Sequence, residues 1–283
     1  MSTAYEARRQ VALFEEARKI PAFVRRDFLV MWSYRLAFFS DWVNLGLQVI
    51  LFYFIGQMVD PDKLPTFQGA RINYIQFVAV GIAISAFLYI GLSRVVTVIR
   101  NEQMMGTLES LLTTPTSPMT LQLGSVMYDL LYVPIRTVIF LMLVSLLPGV
   151  QFTFAGLGPA SGVLLVFIPV VWGLGMIAAG GVLTFRRGLG LVGLTTLFLA
   201  GTSSTYFPIE LLPGPLRAIA TFNPITIALG AMREALLGRA GWADVVPAIL
   251  MLVPMAAVSL ALGIAAFRLA LRRELRRGTL GLY

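Results

Sequence analysis

The sequence predicts an all-α protein that crosses a membrane several times, and three observations predict it. Of 283 residues, 58% are hydrophobic and only 13% are charged, about half the charge of an ordinary soluble domain, and mean hydropathy is +0.82. Six apolar runs fall at approximately 38–59, 72–93, 121–147, 158–184, 189–206 and 243–267. A helix needs about 20 residues to cross a hydrocarbon layer of about 30 Å. Arginines gather at the ends of the runs. One soluble core of this size has no room for so much apolar surface. In lipid an open strand leaves backbone groups unsatisfied, so the runs read as helices.

The elements follow in order. Residues 1–36 are charged throughout, with no early apolar stretch of the signal-peptide kind. They split at Pro21 into two amphipathic pieces. In the second, FVRRDFLVMWSYRL, the residues Phe28, Met31, Trp32 and Leu36 fall at helical spacing, while Arg25, Arg26 and Asp27 sit elsewhere. Such a helix suits the headgroup layer, aromatic face down; a soluble helix packed on a partner carries the same pattern. The expected organisation is interfacial helices at 1–37, a six-helix transmembrane domain at 38–267 and a basic cytoplasmic tail at 268–283.

Loop charge sets the expected orientation. With both termini in the cytoplasm, sixteen of the 22 Lys and Arg lie on inner segments. The outer segments hold Lys63, Arg71, Arg217, Arg233 and Arg239, and Arg136 stands inside a span. That bias is the positive-inside pattern. The tail LRRELRR fits a stop-transfer signal or contact with an anionic inner leaflet.

The polar inventory excludes several functions. The chain has no His and no Cys, which removes His- or Cys-ligated metal sites, disulfides and His bases. Its only lysines are Lys19 and Lys63, and neither follows a GxxxxGK[ST] loop. A phosphate-cradling ATP site is therefore not expected. The net charge of +8 sits where membrane orientation places it, so nucleic acid is not an expected partner.

Two segments are longer than a connection requires, whereas the turn at Pro148–Gly149 and the link 186–188 are short. The inner segment reads RNEQMMGTLESLLTTPTSPMTLQLGS. Met104, Met105, Leu108, Leu111 and Leu112 fall on one helical face over 100–113. Thr114–Pro115 breaks that helix, and Ser117–Pro118 restarts one with a serine cap and proline at its first position. The result is a helical elbow or a helix lying on the membrane. The outer segment reads TSSTYFPIELLPGPLRAIATFNPITIALGAMREALLG. Its prolines at 208, 213, 215 and 224 forbid one continuous helix. Pro215 opens a short helix through Phe222, Asn223–Pro224 opens a second, and Gly238 stops it. A re-entrant helical hairpin over 207–238 fits this pattern.

These strings, GTLESLLTTPTSPMTLQLGS and then FPIELLPGPLRAIATFNPITIALGAMREALLG, together resemble the permease subunit of type-2 ATP-binding-cassette exporters. That class includes drug, lipo-oligosaccharide and polysaccharide permeases. The resemblance spans nearly the whole chain: amphipathic N-terminus, six spans, inner elbow and outer hairpin. It implies a bacterial plasma (inner) membrane protein and pairing with a separate ATPase subunit that binds ATP and magnesium. It also implies a second permease copy or paralogue. It implies that Glu102, Met104, Met105, Gly106, Thr107, Leu108, Glu109 and Leu112 dock the ATPase as a coupling helix. Phe207, Pro208, Glu210, Pro224, Arg233 and Glu234 then belong to an outer gate, although solvated surface charge is the plainer and preferred reading of the ionic ones.

The resemblance further implies that the second and fifth spans line the substrate path. Phe77, Phe87 and Tyr89 are the aromatic candidates. Thr195, Thr196, Phe198, Ser203 and Tyr206 form a hydroxyl-rich end beneath the gate. These groups suit an amphiphilic, sugar-bearing or drug-like substrate, and ordinary helix packing uses the same residue types. Asp129 and Arg136 stand inside the third span, where charge points to protein or water. They lie two turns apart on one face, so each is expected to find a partner on another helix or protomer. Glycines at 173, 175, 180, 181, 188, 190 and 193 allow close helix approach. A secondary transporter would show an internal repeat, and none is visible; a scaffold without transport is the other reading.

Overall fold

The computed structural model describes residues 18–60, 64–67, 69, 72–104, 106, 118–185, 189–238 and 240–277. Among them the regular structure is helical and no strand is formed. The helices are α1 (Ile20–Ser33), α2 (Arg35–Met58), α3 (Tyr74–Tyr89), α4 (Val95–Met104), α5 (Pro118–Ser145), α6 (Leu157–Phe185), α7 (Leu189–Gly201), α8 (Gly214–Thr221), α9 (Pro224–Leu237) and α10 (Trp242–Arg277). One π-helical turn, Ile90–Arg94, joins α3 to α4 without a break. By length and composition five stretches can cross a membrane: Phe38–Met58, Tyr74–Asn101, Val126–Ser145, Phe154–Thr184 and Trp242–Glu274.

The 189–206 run departs from expectation. It forms a 13-residue helix, α7, which rises only about 20 Å. Beyond Gly201 the hydroxyls turn back on the helix end. Thr202 Oγ1 donates to Phe198 O at 2.8 Å and Ser203 Oγ to Ala200 O at 2.7 Å. Ser204 then takes a φ of 60°, a left-handed conformation that no α-helix continues through. A run judged by hydropathy counts these small hydroxyl residues as span, but they form a buried cap instead.

The second span is longer than its apolar run. Arg94, expected in the inner loop, lies within the helix because Asp129 on α5 neutralises it: Arg94 Nε donates to Asp129 Oδ2 at 2.7 Å. This helix is the centre of the fold. Phe77, Val78, Val80, Ile84, Phe87 and Leu88 are all buried. Around it backbones meet closely. A Cβ added to Gly91 would stand 2.6 Å from Val171 Cβ of α6, a spacing only glycine allows. Gly173 likewise faces the backbone of Ser259 on α10. Gly181, Gly190 and Gly193 have no neighbour within 4 Å, so the close approach expected at those three is not made among the described residues.

The first span, α2, is different. Its apolar face of Phe39, Val43, Leu47, Leu51 and Phe54 is exposed, as suits contact with hydrocarbon. α1 lies across the start of α5, with Phe23 against Gly124. Phe28 and Trp32 stack at 6.3 Å on the exposed side of α1.

Candidate functional site

Two constellations gather the polar residues. The first joins the segment 207–238 to α7 and α3. Asn223 caps α9, its side chain accepting from Ile225 N at 2.9 Å. The same side chain donates to Leu199 O at 2.9 Å and Thr202 Oγ1 at 3.0 Å, pinning the hairpin to α7. Nearly three turns further along α9, Arg233 is 2% exposed. Its Nη2 donates to Phe77 O at 2.9 Å and to Ser204 O at 2.8 Å, and its Nη1 donates to Ser204 Oγ at 3.1 Å. Its Cζ stands 3.4 Å from the centroid of the Phe77 ring, within the range of a cation–π contact. Burial lowers the Arg233 pKa well below the ordinary arginine value; carbonyl oxygens and the ring face offset that penalty in place of a carboxylate.

The other gate candidates are not drawn to Arg233. Glu210 is exposed, and its carbonyl accepts from Arg217 Nη2. Glu234 is half-buried, and burial with nearby Asp244 raises its pKa. Phe207 is half-buried, Pro208 is buried, and Pro224 opens α9.

The second constellation is a cavity of about 540 Å³ between α2, α3 and α5. Three polar stripes meet there. Asp41, Asn44 and Gln48 come from α2; Ser85 and Tyr89 from α3; Asp129, Tyr132 and Arg136 from α5. Each stripe keeps three- or four-residue steps, so each lies on one helix face. Arg136 Nη2 donates to Asp41 Oδ1 at 2.9 Å, and Arg94 pairs with Asp129 as above. Asp129 and Arg136 thus each have a partner on another helix and none in one another. The π-helical turn sits at this level and carries Arg94 at its end; such turns are frequent at functional sites. A second cavity of about 360 Å³ shares Asp41, Tyr89, Arg94, Asp129 and Tyr132 and extends toward Asp27 and Tyr34.

The expected path residues divide between these places. Phe77, Phe87 and Ser203 are buried inside the chain. Tyr89 and Tyr206 line the cavity. Thr195 and Phe198 are exposed on α7, and Thr196 is half-buried with its hydroxyl donating to Val192 O at 2.8 Å. Sequence reasoning missed Asp41, Asn44, Gln48 and Arg94. The signal was present as an i, i+3, i+7 polar stripe inside the first apolar run.

α4 includes Glu102 and runs to Met104, which is exposed. Gly106 follows with φ 69°. Met105, Thr107, Leu108, Glu109 and Leu112 lie outside the described residues, as does most of the expected coupling helix. Among the described residues no group of His, Cys, Asp and Glu is placed to hold a metal.

The family model of the ABC-2 type transporter matches residues 18–237. This chain belongs to the ABC-2 type transporter family. The match runs from the start of α1 through the end of α9 and includes both constellations. No curated protein matches the sequence. As an ABC-2 permease it is a multi-pass transmembrane component of an ABC transporter. Such components generally carry no ATPase site of their own, and membership implies pairing with an ABC ATPase subunit.

Proposed function

We propose that this ABC-2 permease is half of an exporter that moves an amphiphile outward across the bacterial inner membrane. Both termini face the cytoplasm, and a second permease copy or paralogue completes the path, surrounded by membrane lipid. ATP and magnesium are bound by the partner ATPase, which grips the coupling helix at 100–113. The hairpin at 207–238 is the outer gate.

One observation carries this reading. A single unbroken helical rod runs from Tyr74 to Met104. Its outer end holds Phe77, on which the hairpin's Arg233 is clamped. Its inner end leads into the elbow. A push on the elbow therefore reaches the hairpin through one packed element, and packed interfaces shift between discrete arrangements rather than deform smoothly. ATP drives export if the ATPase pair closes on the elbow better in the outward-open state.

The test is reconstitution with the neighbouring ATPase. Wild type retains the ATPase on purification and hydrolyses ATP faster when substrate is present. Glu109→Lys and Leu108→Asp lose the ATPase or its coupling to transport while the spans stay folded. Normal transport by both variants, or ATP hydrolysis by the chain alone, overturns the reading.

A further inference from the structure

We propose that the groove formed by α2, α3 and α5 binds the uncharged, hydroxyl-rich head of a lipid whose tails remain in the bilayer. This deepens the permease reading and rests on it for the direction of movement. The two cavities, of about 540 and 360 Å³, together run along these helices from Tyr34 near the interfacial helix toward Tyr206 near the outer hairpin. Each lies in the size range of about 300–1,000 Å³ that holds small ligands. Polar walls at this depth are costly unless they face water or a polar guest.

Charge decides the class of head. Each carboxylate that lines the groove already has an arginine: Asp129 with Arg94 at 2.7 Å, Asp41 with Arg136 at 2.8 Å, and Asp27 with Arg26 at 2.8 Å. An anionic or cationic head entering the groove displaces one of these pairs and leaves a charge uncompensated in low dielectric. Neutral donors and acceptors remain. Gln48 Nε2 donates to Asn44 Oδ1 at 3.0 Å, which leaves further donors and acceptors on both amides, and the Ser85 hydroxyl is buried with no hydrogen-bond partner among the described residues. A sugar-like head matches such groups one hydroxyl at a time. The tails have a place as well. The polar stripe of α2 at 41, 44 and 48 turns to the cavity, while Phe39, Val43 and Leu47 of the same helix are exposed and apolar.

The natural absence of cysteine makes the test direct. Asn44→Cys, Gln48→Cys and, as a lipid-face control, Val43→Cys are placed singly in the full chain in phosphatidylcholine nanodiscs. A charged, membrane-impermeant thiosulfonate reports the reaction rate. Asn44→Cys and Gln48→Cys react about tenfold faster than Val43→Cys, because a thiol must ionise in water to react. Monoglucosyl diacylglycerol at twice its dissociation constant slows both by about threefold. Phosphatidylglycerol and soluble maltose do not. Equal rates at Gln48→Cys and Val43→Cys overturn the groove. Protection by neither lipid, equal or greater protection by phosphatidylglycerol, or protection by maltose alone overturns the neutral lipid head. No ATPase is needed, so this inference and the permease reading fail separately.

Discussion

Arg233 grips Phe77 twice: its guanidinium lies over the ring, with Cζ 3.4 Å from the centroid, and its Nη2 donates to the carbonyl oxygen of the same residue at 2.9 Å. One side chain therefore ties α9 to the second span through both a ring contact and hydrogen bonds. The fork geometry of arginine is what allows the bonds to Phe77, Ser204 and Thr205 together.

Arg233→Lys keeps the charge and loses the fork. We expect it to lower unfolding stability in detergent by about 2 kcal/mol, since each hydrogen bond to a charged group is worth about 1.5–3 kcal/mol and lysine recovers some of them. Arg233→Met leaves the same carbonyls unpaired and costs at least as much. Ser204→Gly relieves a left-handed backbone at the loss of one hydroxyl acceptor, so it stays within about 1 kcal/mol of wild type. Thermal unfolding of the purified chain compares the three; wild-type behaviour of both Arg233 variants is the contrary result.

The pair between α2 and α5 is tested by exchange. Asp41→Asn leaves Arg136 without its carboxylate. Asp41 is 43% exposed and Arg136 18%, so we expect a loss of about 1–2 kcal/mol rather than the 3–5 kcal/mol of a fully buried pair. Arg136→Gln costs a similar amount. The double exchange Asp41→Arg with Arg136→Asp recovers most of the loss, and a double-mutant cycle reads the coupling. Additive losses would mean that the two helices do not communicate through this contact.

Glycines separate by position. Gly91→Ala places a methyl 2.6 Å from Val171 Cβ, which forces the second and fourth spans apart and costs about 1–3 kcal/mol. Gly181→Ala meets nothing within 4 Å and is neutral or stabilises by up to about 1 kcal/mol, as alanine does in a helix. The two variants unfold at clearly different temperatures in detergent.

Much of the fold was legible. Hydropathy located the five long spans because burial in lipid acts on whole segments. The hairpin was legible from Asn223–Pro224, since a cap with proline behind it is a local signal, and the cap bond is made. The site was less so. Arg233 read as an outer-face cation because nothing local tells which side of an amphipathic hairpin meets protein. Arg94 read as a loop charge because its partner, Asp129, is 35 residues away. Asp41, Asn44 and Gln48 were hidden in an apolar average that three polar residues barely lower. Such features depend on which helices become neighbours, and a single strand of text carries that only through its patterns.

The π-helical turn at Ile90–Arg94 places one surplus residue between the Arg233 clamp on Phe77 and the Met104 end of the rod. If that residue were wound into ordinary α geometry, the two ends would rotate against each other by about 100° for about 1.5 Å of axial travel. The second span is thus shaped like a screw with one spare thread. A thrust on the Met104 end has a way to become torsion before it arrives at Phe77.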